Sequence, residues 1–215
     1  GECRQILAGH TDPIYKIAIH PNRRHLVTGS DDLSAKLWDL ATGECLRTFV
    51  GHPAQIRSIA IVGTDLLITG GVDGMLKLWE LETGACLWTQ AAHPKEINSI
   101  AAHSHDKLAV TASSDLTLKI WDLATGNCLQ TFSGHRDRVL TCAINPAGTL
   151  LISACTGYTI KLWDLVTGTC LKTLTGHTSW VTSIVWASDG QTIVSGSVDQ
   201  TVRVWQISTG ECIRT

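Results

Sequence analysis

Residues 135–175 read HRDRVLTCAINPAGTLLISACTGYTIKLWDLVTGTCLKTLT, a stretch with four short runs rich in β-branched and apolar residues. The runs cover residues 139–144, 150–153, 159–163 and 169–174. Turn-forming residues such as Asn, Pro and Gly separate them, and this pattern predicts four strands joined by tight turns. No window carries an apolar stripe at helical spacing for more than two turns, so the stretch predicts a small antiparallel sheet.

The same pattern recurs five times along the 215-residue chain. The recurring tryptophans are Trp38, Trp79, Trp121, Trp163 and Trp205; the histidines are His10, His52, His93, His135 and His177; the cysteines are Cys3, Cys45, Cys86, Cys128, Cys170 and Cys212. All three residue types share one period of about 42 residues, which is typical of a repeat fold. Four strands in each repeat predict an all-β fold, a β-propeller of four-stranded blades with five repeats over residues 1–215.

Short motifs mark the borders of the repeats. Gly-His opens four of them, at 9–10, 51–52, 134–135 and 176–177, and Ala-His opens the other at 92–93; Trp-Asp stands at 38–39, 121–122 and 163–164, with Trp-Glu at 79–80 and Trp-Gln at 205–206. A Thr-Gly turn leading into Cys follows each of the five recurring tryptophans, and its Gly can take a positive φ without steric cost. On these motifs the chain resembles the WD-repeat family over essentially its whole length. Its closely matched repeats are similar to those of bacterial WD-repeat arrays.

A polar set accompanies each tryptophan. A buried indole N–H needs an acceptor, and a hydroxyl residue stands ten positions before each of the five recurring tryptophans, with an aspartate six positions before four of them. The resemblance implies that these residues form one hydrogen-bonded network inside each blade. The sets are His10–Thr28–Asp32–Trp38, His52–Thr69–Asp73–Trp79, His93–Thr111–Asp115–Trp121, His135–Ser153–Trp163 and His177–Ser195–Asp199–Trp205. The fourth set has Gly157 where the others have the aspartate.

Ser or Thr, His and Asp together also suggest a hydrolase triad. A triad occurs once and faces a pocket, whereas this set recurs at blade spacing beside a Trp that needs an acceptor. The sequence has no Gly-x-Ser-x-Gly elbow, no phosphate-binding loop and no His-Glu-x-x-His motif. We therefore expect structural networks, no catalytic residue and no cofactor.

Metal binding is not expected either. No Cys-x-x-Cys occurs, and the recurring cysteines lie one blade apart, too dispersed for zinc. His103-Ser104-His105 could chelate a metal, but it lies in a predicted turn without an obvious third ligand, so we read it as a solvated loop. Eight free and mostly buried thiols suit a reducing cytoplasm.

Composition narrows the classes of partner. Seventeen Lys and Arg against 19 Asp and Glu give a formal charge of −2, which argues against a general nucleic-acid binder. No apolar run approaches the ~20 residues of a membrane helix, and no basic-then-apolar leader opens the sequence. We expect a cytoplasmic protein whose partner is a protein or peptide, with no nucleic acid and no membrane.

Binding residues should lie at positions that vary between repeats, because the shared positions serve the scaffold. In the WD-repeat family the residues three and five past the His, and the residue before the Asp position, lie near the channel mouth. On that basis the expected partner-binding residues are Tyr15, Asp31, Gln55, Arg57, Glu96, Asn98, Arg138, Trp180 and Thr182. Arg57 and Arg138 could each fork onto a carboxylate or phosphate, so the partner segment could be acidic.

The two ends of the sequence raise a question of assembly. Residues 2–7 and 211–215 both match the fourth strand of a repeat, which predicts 21 strands where a closed five-blade ring needs 20. We therefore expect either a segment of a longer array or a ring completed by another chain, as a homo-oligomer or with a neighbour from the parent chain.

Two function classes follow from the sequence. The favoured one is a non-catalytic scaffold or sensor that binds a protein or peptide on the channel-mouth face. The alternative is a propeller hydrolase that uses channel carboxylates, for which Asp31 and Glu96 are the only acids among the predicted mouth residues.

Overall fold

The computed structural model describes residue 3 and residues 5–103 and 107–215. Within those residues the chain forms twenty β-strands joined by turns, and no helix. The predicted fold class, all-β with the four-stranded blades of a β-propeller, is confirmed. In the fourth repeat each observed strand begins and ends within two residues of the predicted run.

The strands group into five antiparallel sheets, each following the order of the chain. The first sheet holds β1 (Ile14–Ile19), β2 (His25–Ser30), β3 (Ser34–Asp39) and β4 (Cys45–Val50). The second holds β5 (Ile56–Val62), β6 (Leu66–Gly71), β7 (Met75–Glu80) and β8 (Cys86–Ala91). The third holds β9 (Ile97–His103), β10 (Leu108–Ser113), β11 (Leu118–Asp122) and β12 (Cys128–Phe132). The fourth holds β13 (Val139–Ile144), β14 (Leu150–Cys155), β15 (Ile160–Asp164) and β16 (Cys170–Leu174). The fifth holds β17 (Val181–Trp186), β18 (Thr192–Ser197), β19 (Val202–Gln206) and β20 (Cys212–Arg214).

The chain divides into two compact units, Gly1–Ile97 and Asn98–Thr215. The first unit contains the first two sheets. The second contains the fourth and fifth sheets and nearly all of the third. Because side chains alternate between the two faces of a strand, each sheet can present apolar residues on both faces while its polar network lies within the sheet.

Each unit is built around apolar side chains from successive sheets. In the first unit the core cluster is Val27, Ala35, Leu37, Phe49, Ile56, Ile59, Leu67, Trp79 and Leu81. In the second unit one cluster is Val110, Ala112, Leu118, Ile120, Phe132, Val139, Cys142, Leu151, Trp163 and Leu165, and another is Ile152, Ala154, Ile160, Leu162, Leu174, Val181, Ile184, Ile193, Trp205 and Ile207. The ring of Phe49 meets that of Trp79 edge-on, and Phe132 meets Trp163 in the same way, a geometry that aromatic pairs prefer.

The aspartate of the Trp-Asp motif holds the turn that follows the third strand. Asp39 Oδ1 accepts hydrogen bonds from the backbone N–H groups of Ala41 and Thr42, at 2.7 and 3.1 Å. These backbone hydrogen bonds lower the pKa of Asp39. The glycine of the same turn has φ between 74 and 82° in all five repeats, a conformation that favours Gly.

The exposure of the cysteines differs from the sequence-based expectation, which was wrong for most of them. Cys3, Cys45, Cys86, Cys128 and Cys170 are exposed and Cys212 is half-buried, whereas Cys142 and Cys155 are buried; all eight are free thiols. Apart from Cys3, each recurring cysteine is the first residue of the fourth strand of a sheet. That strand pairs with only one neighbour in its sheet. Its side chain therefore points outward beside the sheet edge rather than into a core.

The two ends of the chain also differ from expectation. β20 occupies the fourth position of the fifth sheet. At the other end, residues 5–7 belong to no strand, and Glu2 and Arg4 lie outside the described residues, as do Ser104 and His105 of the predicted solvated loop. In the part of the chain that the structure describes, no helix has the length and apolar character to cross a bilayer.

Candidate functional site

The polar set of the first repeat forms a continuous chain of hydrogen bonds. The indole Nε1 of Trp38 donates to Thr28 Oγ1 at 2.8 Å, and that hydroxyl lies 2.6 Å from Nε2 of His10. The other ring nitrogen, Nδ1, lies 2.6 Å from Asp32 Oδ2. The fifth repeat has the same chain through Trp205, Ser195, His177 and Asp199, with distances of 2.7 to 2.8 Å.

The direction of these bonds fixes the histidine tautomer. An indole N–H can only donate, so the Thr28 hydroxyl accepts from it and donates its own proton to Nε2 of His10. The proton of the neutral ring is then on Nδ1, from which it is donated to Asp32. A Ser-His-Asp triad has the same bond directions, so the role of the hydroxyl depends on whether a substrate can reach it.

Asp32 is held as a carboxylate by the groups around it. Burial raises its pKa, but hydrogen bonds from Ser34, His10 and the backbone outweigh that effect and lower the pKa to about 2. In the fifth repeat, burial also raises the pKa of Asp199, and hydrogen bonds from Thr201 and His177 again lower it overall. Both networks are therefore anchored on a charged acceptor at neutral pH.

The remaining repeats vary at the histidine–aspartate link. In the second, His52 Nε2 lies 2.7 Å from Thr69 Oγ1, but Nδ1 is 3.5 Å from Asp73 Oδ2, longer than a good hydrogen bond. Burial lowers the pKa of His52, and Asp73 opposes that shift. In the third repeat, Trp121 donates to Thr111 at 2.9 Å.

The fourth repeat keeps its network without the aspartate. Trp163 donates to Ser153 Oγ at 2.8 Å, and that oxygen is 2.6 Å from His135 Nε2. Among the described residues, Nδ1 of His135 is buried and has no hydrogen-bond partner. Burial, with a smaller contribution from Lys161, lowers the pKa of His135 to about 4, so this ring is neutral at pH 7.

The network hydroxyls are not accessible to a substrate. Thr69, Thr111, Ser153 and Ser195 have no exposed surface, and Thr28 has 4%. A nucleophilic hydroxyl must reach a bound substrate and face a group that takes its proton. Here the hydroxyls are sealed inside sheets and already bonded to an indole, so the arrangement can stabilise a blade but presents no accessible nucleophile.

Within each of four repeats, the predicted binding positions lie at the same end of their own sheet. In four repeats a backbone hydrogen bond of 2.9 to 3.0 Å joins the residue before the Asp position to the residue three past the His: Asp31 to Pro13, Val72 to Gln55, Thr156 to Arg138 and Val198 to Trp180. The residue five past the His is the extra residue of a β-bulge in the first, second, fourth and fifth sheets, namely Tyr15, Arg57, Leu140 and Thr182. A bulge takes its residue out of the pairing ladder and re-aims the side chain.

In the first unit, two of these bulge residues contact each other. The guanidinium carbon of Arg57 lies 3.9 Å from the centre of the Tyr15 ring, within cation–π range. Tyr15 is 47% exposed, and Gln55 and Glu96 are half-buried. Asp31 is also half-buried, and its Oδ1 is buried without a hydrogen-bond partner among the described residues.

In the second unit, the predicted binding residues differ in their exposure and in their hydrogen bonds to the scaffold. The Asn98 amide donates to Val139 O at 2.8 Å and to Ser114 Oγ at 3.0 Å, so both of its N–H groups serve the scaffold. Arg138 is exposed, and Trp180 is 47% exposed. Thr182 is exposed and makes a long hydrogen bond to the Gly196 carbonyl at 3.4 Å.

The sequence analysis missed a cavity in the first unit. It has a volume of about 600 Å³ and is lined by His20, Asn22, His25, Leu37, Leu46, Arg47, Thr64, Asp65, Glu80, Leu81 and Glu82. His20 follows the last residue of β1, so the cavity lies at the opposite end of that strand from Tyr15. Its lining residues come from three turns and from strands β2, β3, β4 and β7, and no spacing signal links them. Within the described ranges, no group of three or more His, Cys, Asp or Glu side chains could hold a metal ion.

Comparison with known proteins matches this architecture. The family model described as "WD domain, G-beta repeat" matches residues 1–39, 43–80, 84–122, 126–164 and 168–206. These five matches cover each of the five repeats and most of the chain.

Curated relatives match over shorter stretches. "Probable E3 ubiquitin ligase complex SCF subunit sconB" of Arthroderma otae is 40% identical over 55 residues, which is 26% of this chain and 8% of that protein. The protein of the same name from Aspergillus clavatus is 41% identical over 54 residues, 25% of this chain and 8% of the relative. "Ribosome biogenesis protein BOP1 homolog" of Drosophila erecta is 44% identical over 43 residues, 20% of this chain and 6% of the relative. Each match thus spans less than a tenth of the relative.

Proposed function

This chain belongs to the WD-repeat family, and from that membership we propose that it is a non-catalytic scaffold that binds a protein or peptide through the variable residues at the bulge end of its sheets. The observation that carries the proposal is the contact between Arg57 and Tyr15. Both side chains leave the strand ladder at a β-bulge, and the stacking holds the guanidinium over the ring before any ligand arrives. Arginine and tyrosine are enriched among residues that dominate binding energy.

The partner segment is acidic. A guanidinium stacked on a ring through its face keeps its N–H edge available, and that edge can donate two parallel hydrogen bonds to a carboxylate or phosphate. In the second unit, Arg138 carries an exposed guanidinium and Trp180 an exposed apolar ring, each at the corresponding end of its own sheet. Asn98 contributes by positioning β9 against Val139 rather than by contacting the partner.

The names of the relatives support a protein partner. One is named as a subunit of an SCF ubiquitin ligase complex and another as a ribosome biogenesis protein. A subunit of a complex must bind other proteins, and this chain matches such a protein over 55 residues. The free thiols support a reducing compartment such as the cytoplasm. The near-neutral charge supports a partner other than nucleic acid.

The alternative function is a hydrolase that uses Asp31 and Glu96. One observation favours it, because a buried carboxylate oxygen without a partner, as in Asp31, is a feature of active sites. Replacing both acids with their amides and assaying a panel of hydrolase substrates separates the two functions. The scaffold requires that the unaltered chain turn over none of them, whereas turnover that the double variant loses would establish the hydrolase.

A displayed library of random peptides, selected on the immobilised chain, tests the scaffold function. We expect the selected peptides to be rich in Asp and Glu and to bind at least tenfold more weakly to Arg57→Ala, a loss of about 1.4 kcal/mol. Tyr15→Ala removes the ring that holds the guanidinium and should weaken binding in the same direction.

Matched controls are available in outer strands. Arg214→Ala, the control for Arg57→Ala, removes an exposed arginine of β20. Trp88→Ala, the control for Trp180→Ala, removes a half-buried tryptophan of β8. Selected peptides that bind Tyr15→Ala, Arg57→Ala and Trp180→Ala as tightly as the parent chain would reject this end of the sheets as the binding surface.

A further inference from the structure

The cavity of the first unit lies between the first and second sheets, which follow one another in the chain. Its volume of about 600 Å³ is within the range of small-molecule sites. Three leucines supply its apolar lining, namely Leu37, Leu46 and Leu81. Its charged side chains are three acids and one arginine, namely Asp65, Glu80, Glu82 and Arg47. Three acids against one arginine favour a ligand that carries positive charge.

In the second unit, a lysine fills the corresponding place between the fourth and fifth sheets. Lys172, the third residue of β16, donates from Nζ to the backbone carbonyl oxygens of Ile207, at 3.0 Å, and Ser208. Both acceptors belong to the turn after β19. One sheet earlier, Gln130 Nε2 donates to Thr167 O of the next sheet at 2.9 Å. The junction between successive sheets therefore has backbone acceptors that a side chain of the preceding sheet can use.

The turn that lines the cavity has the same backbone hydrogen bonds as the turn after β19. Leu81 N donates to Asp65 O at 2.8 Å, and its counterpart Ile207 N donates to Gln191 O at 2.9 Å. A second bond, from the turn glycine to the residue after the tryptophan, measures 2.9 Å in the second sheet and 2.7 Å in the fifth. The carbonyl oxygens of Leu81 and Glu82 are therefore oriented like the two that accept the lysine ammonium.

Arg47 holds the position of Lys172 in the first sheet but does not make this contact. Its Cδ lies 2.9 Å from the point at which a Cβ of Gly84 would stand, so its stem crosses the turn. Among the described residues, its guanidinium makes no hydrogen bond or ion pair. Glu82 is exposed and stands where the fifth sheet has the uncharged Ser208. The turn thus keeps the acceptors for an ammonium and adds a carboxylate, without the lysine.

We propose that this cavity binds a primary alkylammonium group. The nitrogen donates to the carbonyl oxygens of Leu81 and Glu82, and the alkyl chain packs against Leu37 and Leu46. An ammonium has three donors, so the third can go to a carboxylate of the cavity in a charge-assisted hydrogen bond. A lysine side chain of a partner protein and a small free amine both present this group, since a lysine stem is apolar up to its charged end.

The cavity lies at the opposite end of β1 from Tyr15, whereas the proposed peptide site uses the bulge end of the sheets. The two sites also differ in the charge that they select, because the bulge end offers guanidinium groups and the cavity offers acceptors. The inference therefore goes beyond the proposed function and does not depend on it.

Titration of the ¹⁵N-labelled chain with n-pentylammonium chloride, at constant ionic strength, gives the first test. We expect saturable shifts of the Leu81 and Glu82 amide signals in NMR spectra. Pentan-1-ol has the same alkyl chain without the charge, and it should bind at least about tenfold more weakly because charge-assisted hydrogen bonds are the stronger ones. Equal binding of the two probes, or no saturable shift at these amides, overturns the proposal.

Two variants test the geometry. Arg47→Lys places in the first sheet the side chain that Lys172 supplies in the fourth. An internal ammonium competes at high effective concentration, so pentylammonium should bind at least about tenfold more weakly. Glu82→Gln should weaken binding about threefold, the size of an exposed ion pair. Glu211→Gln removes an exposed acid of the fifth sheet outside the cavity, and it should leave binding unchanged.

Arg47 and Glu82 are exposed, so both variants should fold, which circular dichroism can verify. Unchanged binding of pentylammonium to Arg47→Lys overturns the proposal, and so does an equal loss in Glu211→Gln. Lys172→Ala provides a test in the other direction, because it frees the acceptors of the fifth sheet. In that variant pentylammonium should produce saturable shifts at Ile207 that the parent chain lacks. Their absence overturns the proposal, since the site is inferred from that turn.

A second probe identifies the source of the ammonium. Nα-acetyl-lysine N-methylamide represents a lysine within a peptide, whereas pentylammonium represents a free amine. Tighter binding of the blocked lysine assigns the cavity to a lysine side chain of a partner protein. Tighter binding of pentylammonium assigns it to a small amine, and either result supports an alkylammonium site.

Discussion

The carboxylate of Asp137 lies beside Gly157, with Oδ2 only 2.5 Å from the point at which a glycine Cβ would stand. Position 157 is where the other repeats carry the network aspartate. Asp137 therefore occupies space next to the missing side chain, yet Nδ1 of His135 stays buried and unpartnered among the described residues. The fourth network therefore ends at His135, whose buried Nδ1 lacks a carboxylate acceptor.

Gly157→Asp in an Asp137→Ser background should complete the fourth network. Removing the Asp137 carboxylate makes room for the new Cβ, and the new carboxylate can accept from Nδ1 of His135 as Asp199 does from His177. We expect the pKa of His135 to rise from about 4 to above 6.5. Titration of the His ring protons by NMR measures this shift. Asp137→Ser alone should leave the pKa low, and a low pKa in the double variant would contradict the interpretation.

The same histidine makes the stability of the chain depend on pH. Its folded-state pKa of about 4 lies below the unfolded value near 6.5. The unfolded chain therefore takes up a proton first as the pH falls, and stability that is complete above pH 6.5 is lost between 6.5 and 4. The loss from this residue is roughly 3 kcal/mol. Denaturant unfolding at pH 7 and pH 5 should show a smaller decrease for the completed network than for the parent chain.

Removing a network hydroxyl should destabilise the blade that contains it. Thr69→Val keeps the shape of the side chain but leaves the Trp79 N–H and His52 Nε2 without their shared partner. Each orphaned buried group costs about 1–3 kcal/mol, so we expect a loss of about 2–5 kcal/mol in the free energy of unfolding. Thr89→Val is the matched control, because Thr89 is exposed and its hydroxyl contacts only the Lys77 ammonium and the Cys86 thiol outside the network. Equal effects of the two substitutions would show that the network carries no special stability.

The sequence predicts the parts of this structure that recur. The strand over residues 139–144 and the Thr-Gly turn at Gly168 are visible in it, because each obeys a local rule repeated in every blade. The gap at Gly157 is visible as a departure from such a rule. The stacking of Arg57 on Tyr15 was not predictable in this way. It depends on two bulges in adjacent sheets, and a bulge shifts the side-chain alternation by one residue without a sequence signal of its own. The exposure of Cys86 was missed because the apolar residues around it suggest a core position, whereas its strand lies at the sheet edge.

The turn between the second and third strands has a left-handed residue in every repeat, and only one repeat uses glycine there. Leu33 has φ of 69° and Gly74 has φ of 73°. A non-glycine residue in this region costs about 1–2 kcal/mol, so Leu33→Gly should stabilise the chain by about 0.5–1 kcal/mol after the entropy of the unfolded state is counted.

The reverse change at Gly74 should have the opposite sign. A Cβ at Gly74 would stand 2.0 Å from the backbone oxygen of His93, so Gly74→Ala must displace main chain and should destabilise by more than 2 kcal/mol. Chemical denaturation of both variants against the parent chain measures the two effects. A gain from Gly74→Ala would show that the turn can relax freely.

The thiols should divide into two classes in their reaction with an aromatic disulfide reagent. Cys45, Cys86, Cys128 and Cys170 are exposed, whereas Cys142 and Cys155 are buried in the fourth sheet. Because reaction requires access to the sulfur, the exposed thiols should react within the mixing period. The two buried ones should react only as the chain unfolds, and Cys142→Ala should reduce the slow amplitude by one thiol without changing the fast one. Cys86→Ala is the control, and it should reduce the fast amplitude alone. If all eight thiols reacted at one rate, the reagent would reach the buried thiols of the fourth sheet as readily as the exposed ones, and the prediction would be wrong.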